Sequence, residues 1–170
     1  MKILLYMAVS ADGFVARADH DTSWVSATDW ENFGHFIKEA GIIVMGRKTY
    51  EVSGQDFPYP NAINIVLTHN ENLLKETDSV IFTNRTPGQI VEMAKNRGFN
   101  KLLLIGGGIT NTTFLKENLI DEIILSVHPI ILGSGIKLFE NTETETKLKM
   151  LGIKELPENL LQLRYEVIKE

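Results

Sequence analysis

The stretch Lys101-Leu-Leu-Leu-Ile-Gly-Gly-Gly-Ile-Thr-Asn-Thr-Thr-Phe-Leu115 constrains the fold more than any other part of this chain. Leu102 to Ile105 is an unbroken apolar run, which reads as a strand buried on both faces and therefore as part of a parallel sheet. Three glycines follow, and Thr110–Leu115 opens a helical pattern. A Gly-rich turn between a strand and a helix lets backbone approach a ligand closely. It also aims free N–H groups and the positive end of the helix dipole at an anion. A nucleotide's phosphates suit such a turn, and so does plain tight packing of small residues. Neither GxGxxG nor GxxxxGK[ST] is present, so this motif alone leaves both readings open.

The 170 residues read as one domain, 1–170, a size that buries about 70% of the unfolded surface. A formal net charge of −5 disfavours nucleic acid and anionic membranes as partners, because both reward clustered Lys and Arg. With no cysteine there is no disulfide, thiolate metal site or Cys nucleophile, which suits a cytoplasmic chain. The histidines His20, His35, His69 and His128 lie far apart without HxxxH or HExxH spacing, so no metal is expected. The apolar start, Met1–Ala11, is too short for a signal peptide and reads as a first buried strand. No apolar run approaches the ~20 residues of a membrane helix.

Further strands are predicted at Ile3–Val9, Ile42–Met45, Asn64–Thr68 and Val80–Thr83. Thr28-Asp-Trp-Glu31 matches a capping box, with Asp29 at the first helical position. The helix that follows runs to about Ala40, with Trp30, Phe33 and Ile37 on one face and Gly41 as its stop. Thr86-Pro87 supplies an N-cap with proline at N1 for a helix Gly88–Arg97 that ends at Gly98. Gln55–Asn61 is expected as an exposed loop, Asn70–Lys75 as a polar connection, and 142–146 as an exposed polar segment. Asp121–Val127 and Ile130–Leu132 read as extended, split at His128-Pro129. The tail reads as a hairpin, Leu148–Leu156 and Leu160–Lys169. Strands alternate with helices until about Leu119 and then dominate, which implies an α/β fold: a mixed sheet, mostly parallel, with an antiparallel C-terminal edge and helices on both faces.

Four strand ends carry polar turn chemistry: Gly46-Arg-Lys-Thr49, Thr68-His69, Thr83-Asn-Arg-Thr86 and Gly106-Gly-Gly-Ile-Thr110. In a parallel sheet such ends share one edge, where open α/β folds bind ligands. Arg47 and Lys48 stand at a helix amino terminus, where positive side chains cost roughly 0.3–1 kcal/mol unless an anion binds there. Two or three such turns point to a ligand with several phosphates.

Val44-Met-Gly-Arg-Lys-Thr-Tyr50, Leu104-Ile-Gly-Gly-Gly108 and Asp12-Gly13 resemble the NADPH-binding elements of the dihydrofolate-reductase-like fold. Val127-His-Pro-Ile-Ile-Leu-Gly-Ser-Gly135, with Phe139, resembles the C-terminal reductase domain of bacterial riboflavin-biosynthesis deaminase–reductases. The likeness runs from Ile3 to the final strand. It implies an eight-stranded mixed sheet, NADPH as hydride donor and a homodimer. It also implies that Gly46, Arg47, Lys48 and Thr49 hold the adenosine side and the pyrophosphate. By the same match Thr68 and Arg85 lie near the adenine ribose and its 2′-phosphate. Gly106, Gly107, Gly108, Ile109 and Thr110 lie against the pyrophosphate, Ala8 offers backbone to the nicotinamide amide, and the Gly106–Gly107 peptide is cis.

The chain departs from those reductases in two ways. Its 170 residues without cysteine leave no room for a deaminase domain, so none is expected, and no Arg-rich substrate stretch flanks the second strand, where Lys38-Glu-Ala40 and Gln55-Asp-Phe-Pro-Tyr-Pro60 stand instead. Hydride transfer to C=N or C=O calls for a proton source. In dihydrofolate reductases an acid lies early in the first helix after a Trp, and Trp24 and Asp29 fall at about that spacing. Asp29 is thus the catalytic candidate, although a helix-start carboxylate also simply favours the dipole. Asp12 is a second candidate, with turn formation as its other role. Asp12, Trp24, Trp30 and Phe33 are the expected substrate walls. The resulting expectation is an NADPH-dependent oxidoreductase acting on a small pteridine-, pyrimidine- or flavin-like heterocycle. A nucleotide-binding protein without turnover and a genuine dihydrofolate reductase are the alternatives.

Overall fold

The structure is a computed structural model that describes residues 1–140, 142–143 and 145–169. Of the polar segment 142–146, Thr144 lies outside the described residues. The chain forms β1 (Lys2–Ser10), β2 (Phe14–Ala16), α1 (Ala27–Ala40), β3 (Ile42–Gly46) and α2 (Arg47–Ser53). It continues with β4 (Ile63–Leu67), β5 (Lys75–Glu76), β6 (Val80–Thr83), α3 (Pro87–Asn96) and β7 (Lys101–Leu104). Then come α4 (Gly108–Lys116), β8 (Glu122–His128), β9 (Ile136–Lys137), β10 (Leu148–Leu156) and β11 (Leu160–Val167). The main sheet has nine strands in the order β10-β11-β8-β1-β7-β3-β4-β6-β5. From β8 to β6 all neighbours are parallel, whereas β11, β10 and β5 are antiparallel to theirs.

Period-two alternation sorts the core into two layers. Leu5, Val44 and Leu104 pack with Ile90, Val91 and Phe114, so α3 and α4 cover one face. Leu4, Ile43 and Leu103 pack with Phe33, Ile37 and Tyr50, so α1 and α2 cover the other. Ile42, Ile43, Val44 and Met45 are fully buried, which is why that segment reads as an unbroken apolar run. Among the described residues no helix is long and apolar enough to cross a membrane.

Several local expectations are corrected. Nine strands replace eight, because the polar connection before β6 contributes the two-residue edge strand β5. Helix α1 starts earlier than the Thr28 cap predicts: Ser26 is the N-cap, and its hydroxyl accepts from the Asp29 N–H at 3.2 Å. Asp29 is therefore at N3. Thr28 instead donates its N–H to Glu158 Oε2 at 3.1 Å, so the C-terminal hairpin turn braces the helix. The 130–132 segment is not a strand, while β9 pairs with β2 in a separate two-stranded sheet. Tyr59 lies buried rather than exposed, because the fully buried Asn64 amide bonds the Tyr59 N–H and carbonyl at 2.9 Å and draws the loop inward.

On β8, between β1 and β11, Glu122 is 5% exposed and is clamped between Lys2 on β1 and Arg164 on β11. Burial pushes its carboxyl up, but the two cations prevail and hold it below the ordinary value. A depressed folded-state pKa means that this stabilisation is present above the ordinary glutamate value and is lost as pH falls from there through the lower folded-state value. Urea midpoints measured from pH 7 to pH 3 are expected to fall with acid in the wild type. Glu122→Gln should flatten that slope, and a parallel slope in both proteins would remove Glu122 as its source.

Candidate functional site

A cleft of about 840 Å³ opens at the carboxyl ends of β1, β7, β3, β4 and β6. Its two ends differ in chemistry. The polar end is built by repeated turn geometry. Thr68 follows β4 and accepts from Asn70 N–H at 3.1 Å, and Thr83 at the end of β6 accepts from Arg85 N–H at 3.2 Å. Each hydroxyl accepts one backbone N–H and keeps its own proton to donate. Arg85 pairs loosely with Glu76 at 3.4 Å, since Arg97 holds the same carboxylate at 2.5 Å. Arg47 and Lys48 share the single carboxylate of Glu51, which leaves that turn with surplus positive charge.

The triple-glycine turn lies between the ends. The Gly106–Gly107 peptide is cis, and the Gly106 carbonyl accepts from Gly46 N–H at 2.8 Å, tying the β7 and β3 turns together. A Cβ on Gly46 would sit 2.5 Å from Thr110 Oγ1, and one on Gly108 would collide with the Lys137 carbonyl. The turn is thus as tight as the backbone allows. Helices α1 and α3 carry side-chain caps, from Ser26 and from the Thr86–Gln89 capping box. No side chain caps α4 at Gly107 or α2 at Gly46. The α4 start, Gly108-Ile109-Thr110, lines the cleft, so its unpaired amides are at the surface a ligand would meet.

The other end is aromatic and acidic. Tyr6, Trp30, Phe33 and Tyr59 form a connected group, with Phe33 5.6 Å from Tyr6, 5.7 Å from Trp30 and 5.5 Å from Tyr59 between ring centres. Asp29, 2% exposed, is bonded to one member of the group, Tyr6. Asn32 Nδ2 donates to the Tyr6 oxygen at 3.0 Å, and Tyr6 O–H donates to Asp29 Oδ1 at 2.5 Å. Burial, followed by the neighbouring Asp29 charge, pushes the Tyr6 phenol above the ordinary tyrosine range, so it stays protonated and donating. His128 Nε2 lies 4.0 Å from Asp29 Oδ2. That nitrogen accepts from Ser26 N–H at 3.2 Å, while Nδ1 donates to the Ser126 carbonyl at 3.0 Å, the arrangement of an Nδ1–H tautomer.

Of the residues singled out from the sequence, Asp29, Ala8, Gly46, Arg47, Lys48, Thr49, Thr68, Arg85, Gly107, Gly108, Ile109, Thr110, Trp30 and Phe33 all line this one cleft. Gly106 lies just behind it, with Met7 packed against its α-carbon. Asp12 and Trp24 are not on its walls. Asp12 accepts from Ser10 Oγ at 2.6 Å, Leu132 N–H at 3.1 Å and Gly133 N–H at 2.7 Å, which makes it a brace for the 132–133 loop. Trp24 sets its ring edge-on to His128, with ring centres 5.1 Å apart, behind the acidic end. Sequence reasoning missed Tyr6, Asn32 and His128. Asn32 alone had a signal, lying three residues beyond Asp29 on one helix face.

Three comparisons place this architecture among known proteins. YwjB of Bacillus subtilis (strain 168), itself described as uncharacterized, is 32% identical over 170 residues, covering 96% of this chain and 97% of the relative. The riboflavin biosynthesis protein RibD of Aquifex aeolicus (strain VF5) is 23% identical, across 94% of this chain but only 56% of that protein. The crystal structure of a putative riboflavin biosynthesis protein from Shewanella sp. PV-4 superposes with a TM-score of 0.82. It is 27% identical, with 99% of this chain and 100% of that one covered. Residues 1–162 match the profile of the RibD C-terminal domain, and the chain belongs to that family.

Proposed function

We propose that this protein is an NADPH-dependent reductase that transfers a hydride to a small pteridine-, pyrimidine- or flavin-like heterocycle. One observation carries the reading. A single cleft joins the basic and threonine-bearing turns, the uncapped triple-glycine turn and the buried Asp29 carboxyl. From β1 to β6 is four strand spacings, roughly 19 Å, which asks for an extended ligand with anionic groups at one end. Membership of a family named for a riboflavin-biosynthesis protein supports the same class of reaction.

The residues present fit the cofactor. The α4 amides and the Gly46 and Gly108 approach, where a Cβ has no room, form a cradle for a pyrophosphate. Arg47, Lys48 and Arg85, with the Thr68 and Thr83 hydroxyls, would hold a ribose 2′-phosphate. When bound, NADPH supplies the hydride. Addition of that hydride to the carbon of C=N or C=O leaves charge on the heteroatom, and a proton must reach it. Asp29 Oδ2, the oxygen that Tyr6 does not occupy, is the atom through which that proton would reach the substrate. Tyr6 and Asn32 fix the carboxyl, and the aromatic group keeps water from it.

Calorimetric titration with NADPH and NADH tests the cofactor. Micromolar binding of NADPH is expected, at least tenfold weaker for NADH. The preference should vanish in the Arg47→Ala, Arg85→Ala double variant, since each charge-assisted contact contributes about 1.5–3 kcal/mol. No binding of either nucleotide would sink the reading, and binding with no oxidation across a heterocycle panel would leave a nucleotide-binding protein without turnover.

We also propose a homodimer, with a second copy over β10 and β11. Strand β10 is paired on one side only, and Met150, Leu151 and Ile153 on it are 45%, 44% and 62% exposed. Nine residues of such an edge invite association unless covered. Sedimentation should give a dimer that Ile153→Asp converts to monomer. A monomeric wild type at tens of micromolar would rule the dimer out.

A further inference from the structure

We infer that Glu76 and Arg97, neither of which lines the cleft, set how strongly this protein prefers a 2′-phosphorylated nucleotide, by deciding how tightly Arg85 is held when no ligand is bound. This rests on the cofactor reading above and concerns the polar end of the same site. Arg85 lies two residues beyond β6, where the Thr83 hydroxyl accepts its N–H at 3.2 Å. Its guanidinium has two resting contacts. Nη1 and Nη2 both reach Glu76 Oε2 at 3.4 Å, and Nη1 reaches Met93 Sδ at 3.5 Å. A charge-assisted hydrogen bond is ordinarily about 2.7–2.9 Å long, so the hold of Glu76 on Arg85 is slack. The reason stands on the same carboxylate: Arg97, the C-cap of α3, takes Glu76 Oε1 at 2.5 Å.

Three elements bring these groups together. Glu76 sits on the edge strand β5, Arg85 in the turn after β6, and Arg97 at the far end of α3. Two guanidinium groups thus compete for one carboxylate, and the one that lines the cleft is the one held less closely. A guanidinium must let go of its protein partner before it can fork onto a phosphate. Arg97 draws the Glu76 charge to itself and leaves Arg85 aligned at the rim, by Glu76 and Met93, but easily released. Removing Arg97 frees both oxygens of Glu76 for a forked pair with Arg85, and a nucleotide phosphate would then have to break that pair. The three side chains are between 34% and 44% exposed. Solvent therefore screens the competition, which tunes affinity and does not switch binding on or off.

Calorimetric titration with NADPH and with NADH, which differ only in the 2′-phosphate, tests the inference through the ratio of the two dissociation constants. Four proteins are compared: wild type, Arg97→Ala, Glu76→Gln and the double variant. Arg97→Ala should reduce the preference for NADPH about threefold, the scale of an exposed ion pair. In the Glu76→Gln background the same exchange should change it by less than about 1.5-fold, because no carboxylate remains to capture Arg85 and the two sites are coupled, not additive. A loss of equal size in both backgrounds would mean that Arg97 acts only through its long-range charge, and overturns the inference. A preference unmoved by Arg97→Ala in the wild-type background overturns it too. The wild type alone judges the cofactor reading. No binding of either nucleotide, or no preference for NADPH, overturns both readings, whereas a clear wild-type preference with an additive Arg97→Ala loss overturns only this one.

Discussion

Asp29→Asn is expected to lower the single-turnover rate of NADPH oxidation by about 10²–10⁴-fold, the usual share of a positioned proton donor, with the fold and NADPH affinity kept. The amide can still accept from Tyr6 through its own oxygen, so the Asn32–Tyr6 arrangement survives. What is lost lies at the Oδ2 position, where an NH₂ group would replace an ionisable oxygen. It can neither carry the proton between cleft and substrate nor accept from a substrate N–H. Because α1 is capped by Ser26 and braced by Glu158, the helix does not depend on the Asp29 charge to start. Unchanged turnover would reduce Asp29 to a carboxylate that favours the helix dipole. The pH–rate profile distinguishes a lost acid from mere misplacement, since only the first removes an ionisation from the profile.

Gly108→Ala should produce a large structural effect at the site itself. The added methyl meets the Lys137 carbonyl and Glu140 Cγ, both in the segment stitched onto α4. That segment is held by Asn111 Nδ2 to the Leu138 carbonyl at 2.8 Å and by Thr112 Oγ1 to the Glu140 carbonyl at 2.7 Å. Relief requires one backbone to move, at a cost of about 2–3 kcal/mol for overpacking, or roughly a 5–10 °C fall in Tm. Since Gly108 lines the cleft, NADPH affinity should fall with it. The same exchange at Gly34, in α1 with nothing within 4 Å of a new Cβ, should stabilise by about 0.5–1 kcal/mol. Thermal melts of the two variants should therefore move in opposite directions. A Gly108→Ala melt and NADPH affinity equal to wild type would mean that the turn is looser than described.

The polar end of the site was legible in the sequence because it is local. Gly46-Arg-Lys-Thr49, Thr68, Thr83–Thr86 and Gly106–Thr110 each occupy a few consecutive residues at a strand end, and a parallel sheet gathers such ends on one edge. The acidic end was half legible. Asp29 was found, but at N1 of a Thr28-capped helix, whereas it occupies N3 of a Ser26-capped one. That two-residue difference matters, because the N3 carboxylate of a capping box would turn back to the Ser26 N–H. Here His128 takes that N–H and leaves Asp29 to Tyr6. Asp12, in its Asp-Gly turn, and Trp24, at its spacing before Asp29, were expected as walls, yet loop bracing engages the first and packing against His128 the second.

Apolar runs, glycine punctuation and proline caps act over a few residues, through burial and backbone conformation, so the sequence by itself determined the alternation of strands and helices and the parallel body of the sheet. Tertiary structure alone decided which polar side chains meet. Tyr6 and Asp29 are 23 residues apart, and Ser26 and His128 are 102 apart. A tyrosine within an apolar strand is indistinguishable from core until an opposing carboxylate is delivered by another segment. The cost of burying that carboxylate is then offset by the donors brought to it, and no local pattern records which donors those are.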